Sequence, residues 1–353
     1  MKINIQRDEL NKALQTVSKA LPGKALMPIL SGILIETTTN GIKLTASDLE
    51  FSAQQTISAE IIEPGTVVAD GKDIASIVSK LPFGMVELYA DERVVAIKSK
   101  KTKFELPALS ARDYPDIAKP EGDSFVVNAD ELKQAIKQTI FATIPDDARP
   151  YVSSVLWEIT PDKFRLVATD VNRMVVRDIQ IHGDVTEGVL VPVKALKDVG
   201  NAITGDVTVY INRGQIFIVC DGLTMGVRLI DAQFPKYEQI ISVTTDGAFT
   251  VNRNDFIQSL ERAMLVNNTV RLEIDDSLKI STKEPNKGQF SEELPAKRQG
   301  EPLTIGFNAK FWLDFLKVVD SETVEIGYIN PQKPAIARLD NYQYIVMPIR
   351  LEA

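Results

Sequence analysis

The chain reads as an α+β protein of three repeated domains, each made of two β-α-β-β-β passes with mostly antiparallel sheets. Three observations predict this. The segment Lys163 to Arg177, K-F-R-L-V-A-T-D-V-N-R-M-V-V-R, has an earlier copy, G-I-K-L-T-A-S-D-L-E from Gly41. An offset of 122 residues places Lys43, Leu44, Ala46, Ser47 and Asp48 on Arg165, Leu166, Ala168, Thr169 and Asp170. An offset of 236 gives a weaker third copy, with Lys43 on Lys279, Leu44 on Ile280 and Glu284 in place of Asp48. The segments F-V-V-N-A-D-E-L from Phe125 and F-T-V-N-R-N-D-F from Phe249 lie 124 residues apart, and the junction pairs Tyr114-Pro115 and Phe234-Pro235 lie 120 apart. Solenoid repeats run to about 20 to 50 residues, so a period this long marks duplicated domains. The expected boundaries are 1–120, 121–242 and 243–353.

Taken in order, Ile3 and Ile5 alternate as in a half-buried strand. Leu10, Ala13, Leu14 and Val17 then recur at the spacing of one helical face, with Asp8 and Glu9 in a first turn where the helix dipole favours anions. The equivalent helix of the second repeat carries Leu132, Ala135 and Ile136, that of the third begins near Phe256, and Asn128 and Asn252 are placed as N-caps. A second helix follows a turn and a strand in each repeat. It carries Ile74, Ile77, Val78 and Leu81 in the first, Leu196, Val199 and Ile203 in the second, and Phe311, Phe315 and Val319 in the third. Short apolar strands such as V-E-L-Y, V-T-V-Y and V-E-I-G close each repeat. At the junctions, proline pushes the preceding aromatic residue into an extended conformation.

Composition narrows the function classes. Hydrophobic residues at 44% and charged residues at 25% suit a globular chain with a core in each repeat. No apolar run reaches the roughly 18 residues of a membrane span and the first residues lack a signal-peptide core, so a cytoplasmic protein without membrane partners is expected. The lone Cys220, inside I-F-I-V-C, reads as a buried strand residue, and the single His182, in I-H-G-D, as a solvated loop residue. Asp146-Asp147 and Asp275-Asp276 read as turn acids, Ser153-Ser154 has no histidine partner, and G-N-A-I-T-G matches no phosphate loop. These absences argue against an enzyme, a cofactor or a metal.

A net charge of −8 argues against a generally basic nucleic-acid surface. A local one is compatible with it. Lys12, Lys19, Lys133, Lys137 and Arg262 sit on later helical turns, where each taken singly reads as a solvated face. Lys72 and Lys194, however, occupy the same repeat position. Repeats related by rotation would bring such cations to the inner wall of a ring around an acidic polymer, and backbone phosphates require no base contacts.

Five segments in register carry a resemblance: M-P-I-L-S-G-I-L-I at Met27, L-T-A-S-D-L-E at Leu44, V-A-T-D-V-N-R-M at Val167, D-A-Q-F-P-K-Y at Asp231 and Y-I-V-M-P-I-R-L at Tyr344. Together they resemble the bacterial DNA polymerase III beta subunit family, the sliding clamps. The resemblance implies three DNA-clamp domains per chain and a head-to-tail homodimer. Its sheets form the outside of a closed ring and its helices line a hole around double-stranded DNA. It implies a non-catalytic processivity factor that tethers the DNA polymerase III alpha subunit, the clamp loader and other proteins through short clamp-binding peptides. Carried over for DNA contact are Lys24, Lys72, Arg149, Tyr151 and Lys194. For the peptide pocket between the second and third repeats they are Val152, Thr169, Arg173, Met174, Pro235, Ile240, Val346, Met347, Pro348 and Arg350. The sequence departs from the family pattern at Val171-Asn172, where Gly-His is common, at Gln239, and in the extension Glu352-Ala353.

For the dimer interface, Lys98, Lys100, Lys101 and Lys103 begin a late strand of the first repeat, and Glu292-Glu293 lies in the third. These are expected to pair edge to edge, with Met264 and Leu265 supplying apolar contact. Proline near the end of the terminal strand predicts that Met347, Pro348 and Ile349 leave the sheet and are partly exposed. Two other readings compete: a duplicated scaffold that binds peptides without encircling DNA, and an enzyme with an interdomain cleft, for which no reactive cluster is present.

Overall fold

The computed structural model describes residues 1–351 apart from Leu26 and Arg213, so the Glu352-Ala353 extension lies outside the described residues. Each repeat traces two β-α-β-β-β passes. In the first repeat these are Lys2–Gln6, helix Arg7–Val17, Gly32–Thr38, Gly41–Ser47 and Phe51–Ser58, then Thr66–Asp70, helix Gly71–Lys80, Met85–Ala90, Val94–Ser99 and Thr102–Pro107. The second runs Asp123–Asn128, helix Ala129–Ile140, Ser154–Thr160, Lys163–Thr169 and Arg173–Gln180, then Glu187–Pro192, helix Val193–Ala202, Asp206–Asn212, Gln215–Cys220 and Leu223–Arg228. The third runs Gly247–Asn252, helix Arg253–Met264, Thr269–Ile274, Leu278–Glu284 and Gly288–Leu294, then Leu303–Asn308, helix Ala309–Leu316, Thr323–Tyr328, Ala335–Leu339 and Tyr342–Val346. Sequence patterning missed the short strands Glu60–Glu63 and Ala296–Gln299 and the one-turn helix Glu238–Ile241.

The helices form where periodicity places them. Helix Arg7–Val17 buries Leu10, Ala13, Leu14 and Val17, the four residues of its apolar stripe. Four helices share one starting device. Asp70 accepts from the Lys72 and Asp73 N–H groups at 3.0 and 2.9 Å, and Asn252 from Asn254 and Asp255 at 2.9 and 3.1 Å. Asn128 accepts from Asp130 at 2.9 Å and Asn308 from Lys310 at 3.0 Å. Each cap satisfies N–H groups that a helix start leaves without intrahelical partners. The caps at Asn128 and Asn252 were legible in the sequence; Asp70 and Asn308 complete the pattern.

Every strand ladder among the described residues is antiparallel. The chain forms two compact units. One comprises Met1–Asp130, His182–Val185 and Asp198–Leu229; the other comprises Glu131–Ile181, Thr186–Lys197 and the remainder from Ile230. These units cut across the sequence repeats because ladders join strands of neighbouring repeats. In the first unit, Phe51–Ser58 pairs with Leu223–Arg228 and so fuses strands of two repeats into one eight-stranded sheet. In the second, Arg173–Gln180 pairs with Tyr342–Val346 within a nine-stranded sheet.

A five-stranded sheet of the first unit ends at Thr102–Pro107, and a four-stranded sheet of the second ends at Gly288–Leu294. Both are open edges.

The third repeat buries a dense aromatic cluster that the helical stripe of Phe311, Phe315 and Val319 only half announced. Trp312 packs edge-on against Phe307 and Tyr344, with ring centroids 5.4 and 5.6 Å apart, and Phe315 stacks on Tyr344 at 4.6 Å. Such pairs contribute about 0.5–1.5 kcal/mol each beyond burial. His182 is exposed and Cys220 is a buried strand residue. Replacing the cap oxygen in Asn308→Ala or Asn252→Ala should cost about 1 kcal/mol, read as a lower urea midpoint at unchanged slope.

Candidate functional site

The repeated T-D and S-D signatures are one turn built twice. The Thr169 hydroxyl donates to the Arg173 carbonyl at 2.7 Å and accepts from the Val171 N–H at 3.0 Å, while Asp170 Oδ1 accepts from the Asn172 and Arg173 N–H groups, both at 3.0 Å. In the first repeat, the Ser47 hydroxyl donates to the Phe51 carbonyl at 3.2 Å and accepts from Leu49 at 3.0 Å; Asp48 accepts from Glu50 and Phe51 at 2.9 and 2.7 Å. A hydroxyl and a carboxylate are therefore what the two turns demand, which explains why those letters recur. Leu49 and Val171 sit at φ of 77° and 81°, in the left-handed region. That placement costs a side-chain-bearing residue about 1–2 kcal/mol and explains why glycine is common at the Val171 position in the family the sequence resembles. In the third repeat Gly288, at φ 91°, takes the turn beyond Glu284, so the third copy is weak in sequence.

Arg173 closes the second of these turns from inside. Its guanidinium donates to Asp170 and Asp314, both at 2.8 Å, and to the Phe141 carbonyl at 2.6 Å, and it lies over the Phe311 and Phe141 rings at 4.5 and 5.2 Å. Asp314 also receives Lys310 at 2.7 Å. The side chain that the resemblance placed in a peptide pocket is thus buried, joining the turn to helix Ala309–Leu316. The Met347 N–H donates to the Asn172 carbonyl at 2.8 Å, which fixes the chain just beyond the terminal strand against the same turn.

An apolar floor lies beside it. Met174, Leu156, Val167, Val176, Leu190, Ile336, Ile345 and Tyr237 form one buried cluster, with Phe234, Ile241 and Val243 packed on it. The Tyr237 hydroxyl donates to Glu158 and so anchors the junction to the sheet; burial, followed by that hydrogen bond, pushes the hydroxyl well above the ordinary tyrosine value. The turn of helix that follows leaves Ile240 40% exposed, while Met347 is 43% exposed and Ile349 36%. Pro235 and Arg350 are exposed and Pro348 is half-buried. Val152, Thr169, Met174 and Val346 are buried. The predicted pocket residues thus divide into an exposed apolar rim and a buried floor. Sequence reasoning missed Tyr237, whose signal was its place three residues after Phe234.

The cations predicted for nucleic acid belong to both units. In the first, Lys24 is exposed in a bend, and Lys72 is exposed as the second residue of its helix. In the second, Lys194 is the second residue of helix Val193–Ala202 and meets Asp146 at 2.6 Å. Arg149 grips Asp147 through two contacts of 2.8 Å, and the half-buried Tyr151 ring sits edge-on to Phe234 at 6.3 Å. The Arg149 hydrogen bonds hold the Asp147 carboxyl down to about 2. Its pKa is depressed on folding, so the stability this contact contributes is fully present at neutral pH and is lost as pH falls from about 4 through about 2, where the folded carboxyl protonates. Lys310, unnoticed in the sequence, is again the second residue of its helix, Ala309–Leu316. Aligning the starts of the second helices would have found it. A cation in a first turn opposes the helix dipole, a cost of about 0.3–1 kcal/mol, and this chain accepts it in all three repeats.

Of the predicted interface residues, Lys103 lies on the edge strand Thr102–Pro107 and Glu292 and Glu293 on the edge strand Gly288–Leu294, whereas Lys98, Lys100 and Lys101 precede the first edge and Met264 and Leu265 end helix Arg253–Met264. Lys98 bonds Glu87 at 3.0 Å. Lys100 turns at φ 53°, Lys101 is exposed, and Lys103 meets Glu105. In the other unit Glu292 is held by Arg262 at 2.6 Å, Glu293 by Ser277, Met264 is half-buried and Leu265 is 78% exposed. Among the described residues no group of three or more His, Cys, Asp or Glu is placed to hold a metal, and no helix is long and apolar enough to cross a membrane. The Ser154 hydroxyl donates to the Pro150 carbonyl at 2.7 Å, and Asp275 meets Arg298 at 3.2 Å.

Three repeats of paired β-α-β-β-β passes place the chain among DNA sliding clamps. The DNA polymerase sliding clamp of Bacillus subtilis aligns over 100% of both chains with a TM-score of 0.95 at 28% identity. The DNA polymerase III beta subunit of Thermotoga maritima aligns over 99% of this chain and 100% of its own with a TM-score of 0.93 at 29% identity. Models of the N-terminal, central and C-terminal domains of the DNA polymerase III beta subunit match residues 1–118, 126–236 and 238–350. The beta sliding clamp of Bacillus subtilis is 30% identical over 376 residues, covering 99% of this chain and 100% of its own. The chain belongs to the DNA polymerase III beta subunit family, and it is a non-catalytic processivity factor of DNA replication.

Because Arg173 is the shared partner of two carboxylates, Arg173→Ala should destabilise the protein by about 3 kcal/mol in urea unfolding. Arg173→Lys should recover only part of that loss, since an ammonium lacks the planar fork.

Proposed function

We propose that two copies close head to tail into a ring of six domains, bounded in each chain at 1–120, 121–242 and 243–353, that encircles duplex DNA in the cytoplasm. The observation that carries this reading is the lysine at the second position of the second helix in every repeat, Lys72, Lys194 and Lys310. Three equivalent cations set against their own helix dipoles make sense as phosphate contacts from a common inner wall. Lys24, Arg149 and Tyr151 extend that wall. The open edges Thr102–Pro107 and Gly288–Leu294 support closure by strand pairing between copies, since an unpaired strand edge is a template for another strand. Lys100, Lys101 and Lys103 face Glu292 and Glu293 in that arrangement. Exposed ion pairs contribute about 0–1 kcal/mol, so they set register, while Met264 and Leu265 provide the apolar contact.

On a protein of net charge −8, few phosphate contacts give weak equilibrium binding, and retention comes from closure. Loaded protein should persist on nicked circular DNA in high salt and leave when the circle is cut. Leu265→Asp should yield monomers in sedimentation equilibrium and abolish retention. Equal loss from cut and uncut circles would favour a scaffold that does not encircle DNA. Each of Lys72→Ala, Lys194→Ala and Lys310→Ala should lower the salt slope of duplex binding by about 0.9.

The rim of Ile240, Met347 and Pro348 over the Met174 floor suits leucine or phenylalanine anchors of short linear peptides. Methionine on both rim and floor adapts to varied sequences, which fits competition among the polymerase alpha subunit, the clamp loader and other partners. Met347→Asp should reduce capture of alpha-subunit peptides by more than about tenfold while leaving the dimer intact in sedimentation, and unchanged capture would sink the pocket assignment.

A further inference from the structure

The junction of the first and second repeats, within the first unit, copies the framework of the peptide groove. Phe51 and Ser52 lie opposite Val227 and Gly226, as Arg173 and Met174 lie opposite Val346 and Ile345. The next strand places Phe217 opposite Gly226, as Ile336 lies opposite Ile345. The Arg228 N–H donates to the Glu50 carbonyl at 2.8 Å, the counterpart of Met347 to Asn172 at 2.8 Å. An aromatic residue of this junction too is buried and anchored, though one turn earlier than Tyr237, with the Tyr114 hydroxyl donating to the Thr45 carbonyl at 3.3 Å.

The side chains differ in one respect that changes the surface. Where the groove between the second and third repeats is floored by Met174, Ile345 and Ile336, this one has Ser52, Gly226 and Phe217. The missing bulk leaves a cavity of about 130 Å³ lined by Phe51, Phe217, Gly226 and Ile117, with Glu50, Arg228 and Asp116 at its rim. A Cβ on Gly226 would stand 2.6 Å from Ser52 Oγ and 3.1 Å from the Phe217 ring, so only glycine lets these two side chains close over the strand beside the cavity, and an added methyl would displace one of them.

Drug-sized ligands need about 300 Å³ or more, whereas an apolar cavity of about 150 Å³ holds benzene. The volume therefore fits one side chain. Glu50 and Arg228 pair at 3.1 Å, and Asp116 has no ion-pair partner among the described residues, so the rim is left with a negative charge.

We propose that this cavity is a second peptide site, taking one phenylalanine or leucine side chain of a partner's linear segment with an adjacent lysine or arginine facing Asp116. The inference rests on the peptide reading of the other groove for the use of the framework, and on the cavity itself for the ligand.

The probes are N-acetyl-Lys-Phe-amide and N-acetyl-Glu-Phe-amide, titrated into the full-length protein while amide resonances of Ser52, Gly226 and Met347 are followed by NMR. Saturable shifts at Ser52 and Gly226 are expected, with the Lys-Phe probe binding about threefold more tightly than Glu-Phe. Both Ser52→Met, which restores the bulk found at Met174, and Gly226→Ala should remove those shifts and spare those at Met347; if one variant fails to fold, the other reads the same cavity. Shifts confined to Met347 overturn the proposal and leave the first groove standing. Shifts confined to Ser52 and Gly226 support it while counting against the first groove. Shifts at none of the three, or shifts at Ser52 and Gly226 that survive both substitutions, overturn it.

Discussion

The architecture depends on antiparallel pairing between strands of different repeats. Phe51–Ser58 with Leu223–Arg228, and Arg173–Gln180 with Tyr342–Val346, turn half-sheets of neighbouring repeats into continuous ladders. The strands Phe51–Ser58 and Arg173–Gln180 each begin at a turn whose N–H groups are satisfied by a hydroxyl and a carboxylate, Ser47 and Asp48 in one case, Thr169 and Asp170 in the other. The turn fixes the register of its strand, and a slip of one residue would send every side chain to the opposite face. Arg173 then ties the second turn to helix Ala309–Leu316 with a fully committed guanidinium. The apolar surface flanked by Met174 and Met347 is held rigid by this arrangement, since Met174 follows Arg173 directly and Met347 is bonded to Asn172.

The electrostatics follow a different logic from the packing. Buried and half-buried charges are satisfied at short range, as in the Arg165–Asp178 contacts of 2.6 and 2.8 Å, whereas the second helices carry lysines where their own dipoles disfavour them. Lys194 and Lys310 are partly neutralised by Asp146 and Asp314. Exposed pairs such as Lys194–Asp146 contribute only about 0–1 kcal/mol, so they offset little of that opposition to the dipole.

The two inter-repeat junctions show how one backbone framework yields different surfaces. Val346 and Val227 occupy equivalent positions, as do Met347 and Arg228, so the rim is apolar at one junction and charged at the other. Beneath the rims, Met174 with Ile345 fills the space that Ser52 with Gly226 leaves open. The strand register is shared; the side chains decide what each groove holds.

The sequence by itself determined the threefold repeat, the apolar stripes of the helices, the caps at Asn128 and Asn252, and the exposure of Met347 and Ile349. Each of these is set by neighbours within about one or two turns, through periodicity or local hydrogen bonding, and so is written in short windows of letters. The resemblance carried by five segments named the residues around the groove but not their orientation. Only the tertiary structure decided that Arg173 turns inward, because its partners Phe141 and Asp314 lie 32 and 141 residues away. Lys310 was legible in principle, but shortened loops in the third repeat hid its register with Lys72 and Lys194. The cavity beside Gly226 belonged wholly to tertiary structure: a glycine in a strand announces a close approach without saying of what, and only the ladders bring Ser52 and Phe217 against it at the edge of the open space.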